Sequence, residues 1–494
     1  MGSNPVEVKP HAVCVPFPSQ GNINPTLELA KLLHAHGFHV TFVLTHFNRR
    51  RLVRAQGEEA VKGLPDFCFA AIPDGLPASD DDGAQDIAAL CDAGKNCLGH
   101  FRSLLAELND GKASGGAGGG GAVPPVSCII TAGAMGFTVE AARELSIPHV
   151  LFWPTSATGF LAFQSFRLLV ERGIIPFKEK SDLTNGFLET EVDWIPGLTK
   201  GMRLKDFPSF IRTADADDIM LNFMIEGMNR AAMNSAILFN TFDDLEQPAL
   251  KAMEEALPPI YAIGPFSVLS RRMIPADSPL AAIGASLWKK DASCLQWLDG
   301  RRPASVVYVS FGSLAMLSKE QIVQLAWGLE KSGFDFLWVV RPDLAGGESA
   351  VLPPEFIEKT KERGMIVSWC AQQEILMHPA VGVFLTHCGW NSMIESLSSG
   401  VPVICKPFAS EQTTNCKYAC SEWGVGVEID GEMKTEAVER LIREVMAGEK
   451  GREMRKRAAG WKESAAKAGG CRGGSSANLK RAIEHVLLCK QAEK

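Results

Sequence analysis

The side chains between Trp369 and Gln412 are of the types that hold a phosphorylated nucleoside bearing a sugar. His387, Asn391 and Ser392 are donors spaced around one short turn, where they suit phosphate oxygens. Glu395 follows about one helical turn further on. A carboxylate there would repel phosphate but accept bonds from a ribose diol. Trp369 offers a flat face for a base, and Glu411 and Gln412 form a polar pair suited to sugar hydroxyls. Each residue alone has a plainer reading. A strand–turn–helix with Asn-Ser is most often structural, and a lone His387 is more often a satisfied core histidine than a ligand. The ordered set is what points to a nucleotide sugar.

The elements that must place these groups are legible nearby. Val381–Thr386 is a short apolar run, long enough for a buried strand and too short for a helix. It runs into the turn His387-Cys388-Gly389-Trp390-Asn391-Ser392. Met393, Ile394 and Leu397 then share one helix face, Gly400 ends that helix, and Pro402 starts the next strand. The turn therefore opens a helix, whose free N–H groups and positive dipole end favour phosphate.

This order, from Trp369 through HCGWNS, Glu395 and Gly-Val-Pro to a closing acid-Gln pair, resembles the donor signature of plant family-1 UDP-dependent glycosyltransferases. The resemblance implies that Trp369 stacks on uracil and that the backbone of Cys370 reads its edge. Gln372 and Glu395 would hold the ribose. His387, Asn391 and Ser392 would hold the diphosphate, with Gly389 allowing close approach. Trp390, Glu411 and Gln412 would address the sugar. Ser310-Phe311-Gly312-Ser313 resembles the family's second phosphate-facing turn, which adds Ser313. Members that close on Gln, as here, tend to use UDP-glucose.

The resemblance covers nearly the whole chain and implies the GT-B fold: two facing, doubly wound parallel α/β domains of Rossmann-like type. The expected division is an acceptor domain at 1–256, a linker at 257–303, a UDP-sugar domain at 304–470, and a helix at 471–494 returning to the first domain. Donor and acceptor would meet beyond the carboxyl ends of the strands. The resemblance calls for no metal and no cofactor besides UDP-glucose as co-substrate. The acceptor would be a small plant metabolite or hormone. Residues 203–240 look like the subgroup that glucosylates cyanohydrins, cytokinins and terpenoid alcohols.

Composition agrees with a two-domain globular chain. The 494 residues are 46% hydrophobic, enough for sizeable cores and long for one domain. A net charge of −7 and no basic run argue against nucleic acid or an anionic membrane as partner. No apolar run reaches membrane-spanning length. The N-terminal MGSNPVEVKP lacks the apolar stretch of a secretory signal, and Val6 breaks the myristoylation pattern. The 13 cysteines, scattered through apolar runs such as those at Cys14, Cys128 and Cys405, suit reduced thiols and a cytoplasmic protein. No metal-ligand spacing of Cys and His stands out. Nothing suggests more than a monomer.

Along the chain, His11–Pro18 reads as a strand, Ser19–Pro25 as a loop and Thr26–His36 as a helix closed by Gly37. Val40–Leu44 is the next strand, which starts a parallel α/β unit. The unit lacks the Gly-x-Gly-x-x-Gly dinucleotide fingerprint. Asp80-Asp81-Asp82 sits in a Ser/Asp/Gly stretch and reads as a solvated loop, not a metal site. Gly111–Pro125 is a Gly/Ala-rich insertion with the composition of a mobile loop. Phe152, Trp153, Phe160, Phe163 and Phe166 read as core, some also lining the acceptor pocket. Ser318 and Gln321 form a capping box.

One part of the pattern is broken. Transfer to a hydroxyl needs a proton acceptor, and a histidine oriented by an aspartate suits that task. In relatives the histidine lies in Gln-Gly-His-x-Asn-Pro and the aspartate follows the strand before Gly-x-x-x-Phe-Thr. Here those positions hold Asn22 and Ala132. Three readings stay open: an active transferase without the dyad, a chain altered to trap a complex, and a binding protein that has lost turnover. Thr131, Ser19 and His11 are the substitute bases considered, and none stands out: serine and threonine are too weak unaided, and His11 starts its strand at the far end. A nucleotide-sugar epimerase of related fold is a different class, but would not need Trp369 with Glu411-Gln412.

Overall fold

The computed structural model describes residues 9–76, 86–110, 123–133, 135–341 and 352–489. The Asp80-Asp81-Asp82 run and most of the Gly-rich insertion lie outside the described residues. Two parallel sheets organise the rest. The first holds β1 (His11–Pro16), β2 (His39–Thr45), β3 (Phe67–Ile72), β4 (Cys128–Ala132), β5 (His149–Trp153), β6 (Ala236–Phe239) and β7 (Ile260–Ala262), in the order β3-β2-β1-β4-β5-β6-β7. The second holds β8 (Val306–Ser310), β9 (Asp335–Val339), β10 (Gly364–Val367), β11 (Val381–Thr386), β12 (Val403–Cys405) and β13 (Gly426–Glu428), in the order β10-β9-β8-β11-β12-β13.

Every residue of β1, β4, β5, β8, β11 and β12 is buried. Strands covered by helices on both faces read as unbroken apolar runs, which is why β1 and β11 were visible in the sequence. Chain order reverses once in each sheet, between β1 and β4 and between β8 and β11. Such switch points open a crevice at the carboxyl ends. Pro16 pairs with Ala132 at the first, and Ser310 with Thr386 at the second. The dyad positions and the phosphate turns therefore sit at equivalent places in the two domains.

Two sequence expectations are corrected. The helix expected from Thr26 begins at Gln20 and runs to Ala35, with Pro25 inside it. Proline lacks an N–H, so the Gly21 carbonyl goes without its partner in the helix. Asn391 Nδ2 from the other domain donates to it instead at 2.7 Å. Second, the linker expected from residue 257 contains β7, the edge strand of the first sheet. Its three residues are too few to show a period. The chain's last helical segment packs on the first sheet's domain. Leu479, Ile483 and Leu487 pack in the first domain's core, and Asn478 Nδ2 donates to Ala262 O on β7 at 2.9 Å. Among the described residues no helix is long and apolar enough to cross a membrane.

Candidate active site

A cleft of about 1200 Å³ runs between the carboxyl ends of the two sheets. On its C-terminal side the structure gathers the signature residues. Gln372 Nε2 donates to Glu395 Oε2 at 2.8 Å and to Ser392 Oγ at 3.0 Å. Burial pushes the Glu395 carboxyl up to about 7, against the opposing effect of the Gln372 bond. The His387 ring is held between two glycines. A Cβ at Gly312 would lie 2.5 Å from the ring, and one at Gly389 would lie 2.4 Å away. Gly389 is thus needed to leave room for the histidine ring. Burial, with Arg341 nearby, holds His387 down at about 4, so the ring is a neutral hydrogen-bonding group.

Gln412 Oε1 accepts the N–H groups of Phe408 at 2.9 Å and Ala409 at 3.1 Å. Its amide NH₂ is left for a ligand. Glu411 Oε2 accepts from Ser410 Oγ at 2.6 Å, and burial raises its carboxyl. Ser313 and the backbone around Cys370 also line the cleft. Trp390 departs from expectation. Its indole is 2% exposed and its Nε1–H donates to Asn240 O at 2.9 Å. That side chain joins the domains, leaving the backbone at the helix start to face a ligand.

Sequence reasoning missed two residues here. Trp288 stacks on Trp369 with centroids 4.6 Å apart and planes at 22°, and the Arg51 guanidinium lies 4.7 Å from the Trp288 ring. Trp369 lines the cleft and Trp288 does not, so Trp288 backs the face turned away from a ligand. Asp291 N–H donates to Trp369 O at 2.9 Å, which fixes the same contact. Arg341 is 1% exposed and donates to Ala315 O at 3.0 Å and to Gly312 O at 2.6 Å, bracing the second phosphate turn. Its one signal was a cation closing the apolar run of β9.

Across the cleft, Asn22 Nδ2 donates to Ser19 Oγ at 2.8 Å, and its Oδ1 lies 3.7 Å from where a Cβ on Gly133 would stand. Ala132, fully buried, belongs to the apolar cluster of Ile23, Leu27 and Phe152. Asn22 thus lies beside the end of β4 at residues 132–133, and neither dyad-position side chain titrates. Thr131 Oγ1 is bonded to His149 Nε2 at 3.1 Å, and His11 Nε2 at the far end of β1 is bonded to Thr41 Oγ1 at 2.9 Å. Neither takes the missing base's place. Of the expected aromatics, Phe152, Phe160 and Phe166 are core, while Trp153 and Phe163 line the cleft with Phe17, Phe210 and Phe223.

Comparison with known proteins agrees with this geometry. Residues 285–457 match the family model described as UDP-glucoronosyl and UDP-glucosyl transferase. The chain is 51% identical over 492 residues to a 7-deoxyloganetin glucosyltransferase of Gardenia jasminoides, covering 99% of this chain and 100% of the relative. The chain belongs to this family. It is a plant family-1 UDP-glucosyltransferase of GT-B fold. It is also 50% identical over 482 residues to an (R)-mandelonitrile beta-glucosyltransferase of Prunus dulcis, covering 97% of this chain and 98% of the relative. Among solved structures, Os79 from O. sativa in complex with UDP matches with a TM-score of 0.77 at 29% identity, covering 95% of this glucosyltransferase and 98% of that chain. Phytolacca americana UGT2 complexed with UDP-2fluoro-glucose and pterostilbene matches with a TM-score of 0.77 at 28% identity, covering 97% and 99%.

Proposed function

We propose that this glucosyltransferase moves glucose from UDP-glucose, with inversion, to the hydroxyl of a small plant metabolite or hormone, and that it does so without a protein general base. The Asn22 amide carries the reading. With Nδ2 held by Ser19, its Oδ1 can accept the hydrogen of an acceptor hydroxyl and aim a lone pair at the anomeric carbon. An amide does not take up a proton near neutral pH, so the proton leaves to solvent as the sugar–phosphate bond breaks. What remains is positioning, plus stabilisation of the departing diphosphate by the helix N-terminus at Trp390, Ser392 and the neutral His387. Both are large terms. Acceptors of low hydroxyl pKa, such as phenols or alcohols beside an electron-withdrawing group, are favoured because they need least help. The chain's likeness to a mandelonitrile and a 7-deoxyloganetin glucosyltransferase supports a small, partly apolar acceptor, which suits the ring-lined cleft.

The test is a panel of phenols, carboxylic acids, terpenoid alcohols and cytokinins with UDP-glucose. The expected result is turnover that climbs with acceptor acidity and with pH. Donor binding without turnover on any acceptor, in a folded chain, would favour the second reading: a family member disabled by loss of both dyad residues.

A further inference from the structure

Beside the transfer site, three cysteine thiols converge behind the donor turn, with a fourth cysteine one helical turn away. Cys388 lies between His387 and Gly389, Cys405 ends β12, and Cys416 and Cys420 stand four residues apart on one face of the helix Gln412–Cys420. The Sγ atoms of Cys388, Cys405 and Cys416 lie within 4.8 Å of one another, and all three residues are buried. Cys420 is exposed and stands one helical turn beyond Cys416, on the same face of that helix. All four are free of disulfides. The sequence showed no metal spacing because three separate elements supply the thiols. Only the pair Cys416-x₃-Cys420 falls in the range of zinc ligand pairs.

A tetrahedral ion with metal–sulfur bonds of about 2.3 Å holds its sulfurs roughly 3.8 Å apart. The three buried thiols need to close by no more than about 1 Å to reach that spacing. Thiolates select soft ions over hard ones. Lys406, beside Cys405, brings its ammonium within electrostatic reach of Cys416 and offsets part of the charge that thiolates would gather. Glu428 stands opposite Cys405 in the register of β12 and β13.

We propose that Cys388, Cys405, Cys416 and Cys420 form a thiolate site for a Zn²⁺-class d¹⁰ cation, which staples the donor turn and β12 to the helix Gln412–Cys420. Each ligating thiol gives its proton to solvent as its sulfur–metal bond forms, and no electron is transferred. The staple acts on a unit already joined by Asn415, whose Nδ2 donates to Cys388 O at 2.9 Å. It does not depend on which acceptor is used.

The full chain, reduced and metal-free, is titrated with Co²⁺ as a spectroscopic stand-in for Zn²⁺. The expected result is one equivalent bound, with sulfur-to-cobalt charge-transfer bands and the intense visible bands of a tetrahedral site, displaced by Zn²⁺. Zn²⁺ should also raise the melting temperature, since the gathered site binds it more tightly than the scattered thiols of the unfolded chain. The Cys416→Ser/Cys420→Ser variant should lose both signals. Cys294→Ser, at the separate Cys294–Cys370 pair, should keep both. Because the double variant removes a buried thiol, Cys420→Ser alone serves as the milder probe, with Co²⁺ affinity falling at least about tenfold and an unchanged melt without metal. Absent charge-transfer bands, bands that survive the double variant, bands lost in Cys294→Ser, a melt indifferent to Zn²⁺, or full affinity in Cys420→Ser would each overturn the site.

Discussion

Restoring the dyad is the sharpest test of how this glucosyltransferase handles the acceptor proton. Period-two alternation sends the Thr131 side chain to His149 on one face of β4 and Ala132 to the other, into the apolar cluster that also holds Ile23 and Leu27 of the helix that carries Asn22. A carboxylate at 132 therefore enters the cluster on which the helix bearing position 22 packs, next to Gly133, which lies beside Asn22. Alone, Ala132→Asp leaves a charge in a fully buried apolar cluster, at a cost of about 3–5 kcal/mol. In a domain of this size that lowers the melting temperature by roughly 6–20 °C. With Asn22→His also present, part of that cost returns as a histidine–aspartate bond, so the two stability changes are not additive. In activity, Asn22→His alone lacks its orienter and gains little. The double variant should gain about 10²–10⁴-fold in kcat with weakly acidic alcohols, or roughly 2.7–5.5 kcal/mol of barrier, and much less with acidic phenols. Its kcat/KM should rise through a histidine pKa of about 6.5 and level off. The chain with Asn22 should keep accelerating until the acceptor itself ionises. The assay is steady-state glucoside formation across pH, beside a thermal melt. A folded double variant that binds UDP-glucose yet gains nothing with any alcohol would refute the reasoning. So would a neutral plateau in the chain with Asn22, which would mean that another base is already at work.

Three further outcomes follow from particular contacts. Ribose hydroxyls bond best to the charged form of Glu395, whose carboxyl is raised to about 7 in the free protein. Its contribution to folding is therefore full below the ordinary carboxylate range and lost as pH rises through about 7. UDP-glucose affinity measured by calorimetry should accordingly strengthen across that value, and Glu395→Gln should flatten the dependence. Trp288→Ala removes the backing of Trp369 and a cation–π contact, each worth about 0.5–1.5 kcal/mol. KM for UDP-glucose should rise about 2–10-fold with kcat nearly unchanged, and Trp288→Phe should restore most of it. Asn415→Ala strands Ser156 Oγ, 2.7 Å from Asn415 Oδ1, and Cys388 O, both buried at the domain junction. At about 1–3 kcal/mol per stranded group, a clear drop in melting temperature is expected, and a melt within error would contradict it.

The sequence by itself carried the buried parallel strands, because strands covered on both faces must be continuously apolar: β11 was bounded to the residue. It also offered the candidate donor set, whose members lie on one strand–turn–helix and its neighbours, where local spacing becomes position directly. The tertiary structure alone decided what depends on pairs distant in sequence. Trp288 meets Trp369 from inside a stretch that looked like linker, and β7 was hidden there by its shortness. Asn391 reaches Gly21 only because Pro25 leaves a carbonyl free in the other domain. Trp390 has the type of a sugar-facing residue, but its indole packs between the domains. The three buried thiols were scattered in sequence and are gathered by three elements that only the fold brings together. Local pattern fixes an element and the face it buries. Which atoms from different elements touch is set by how the two sheets and their helices pack.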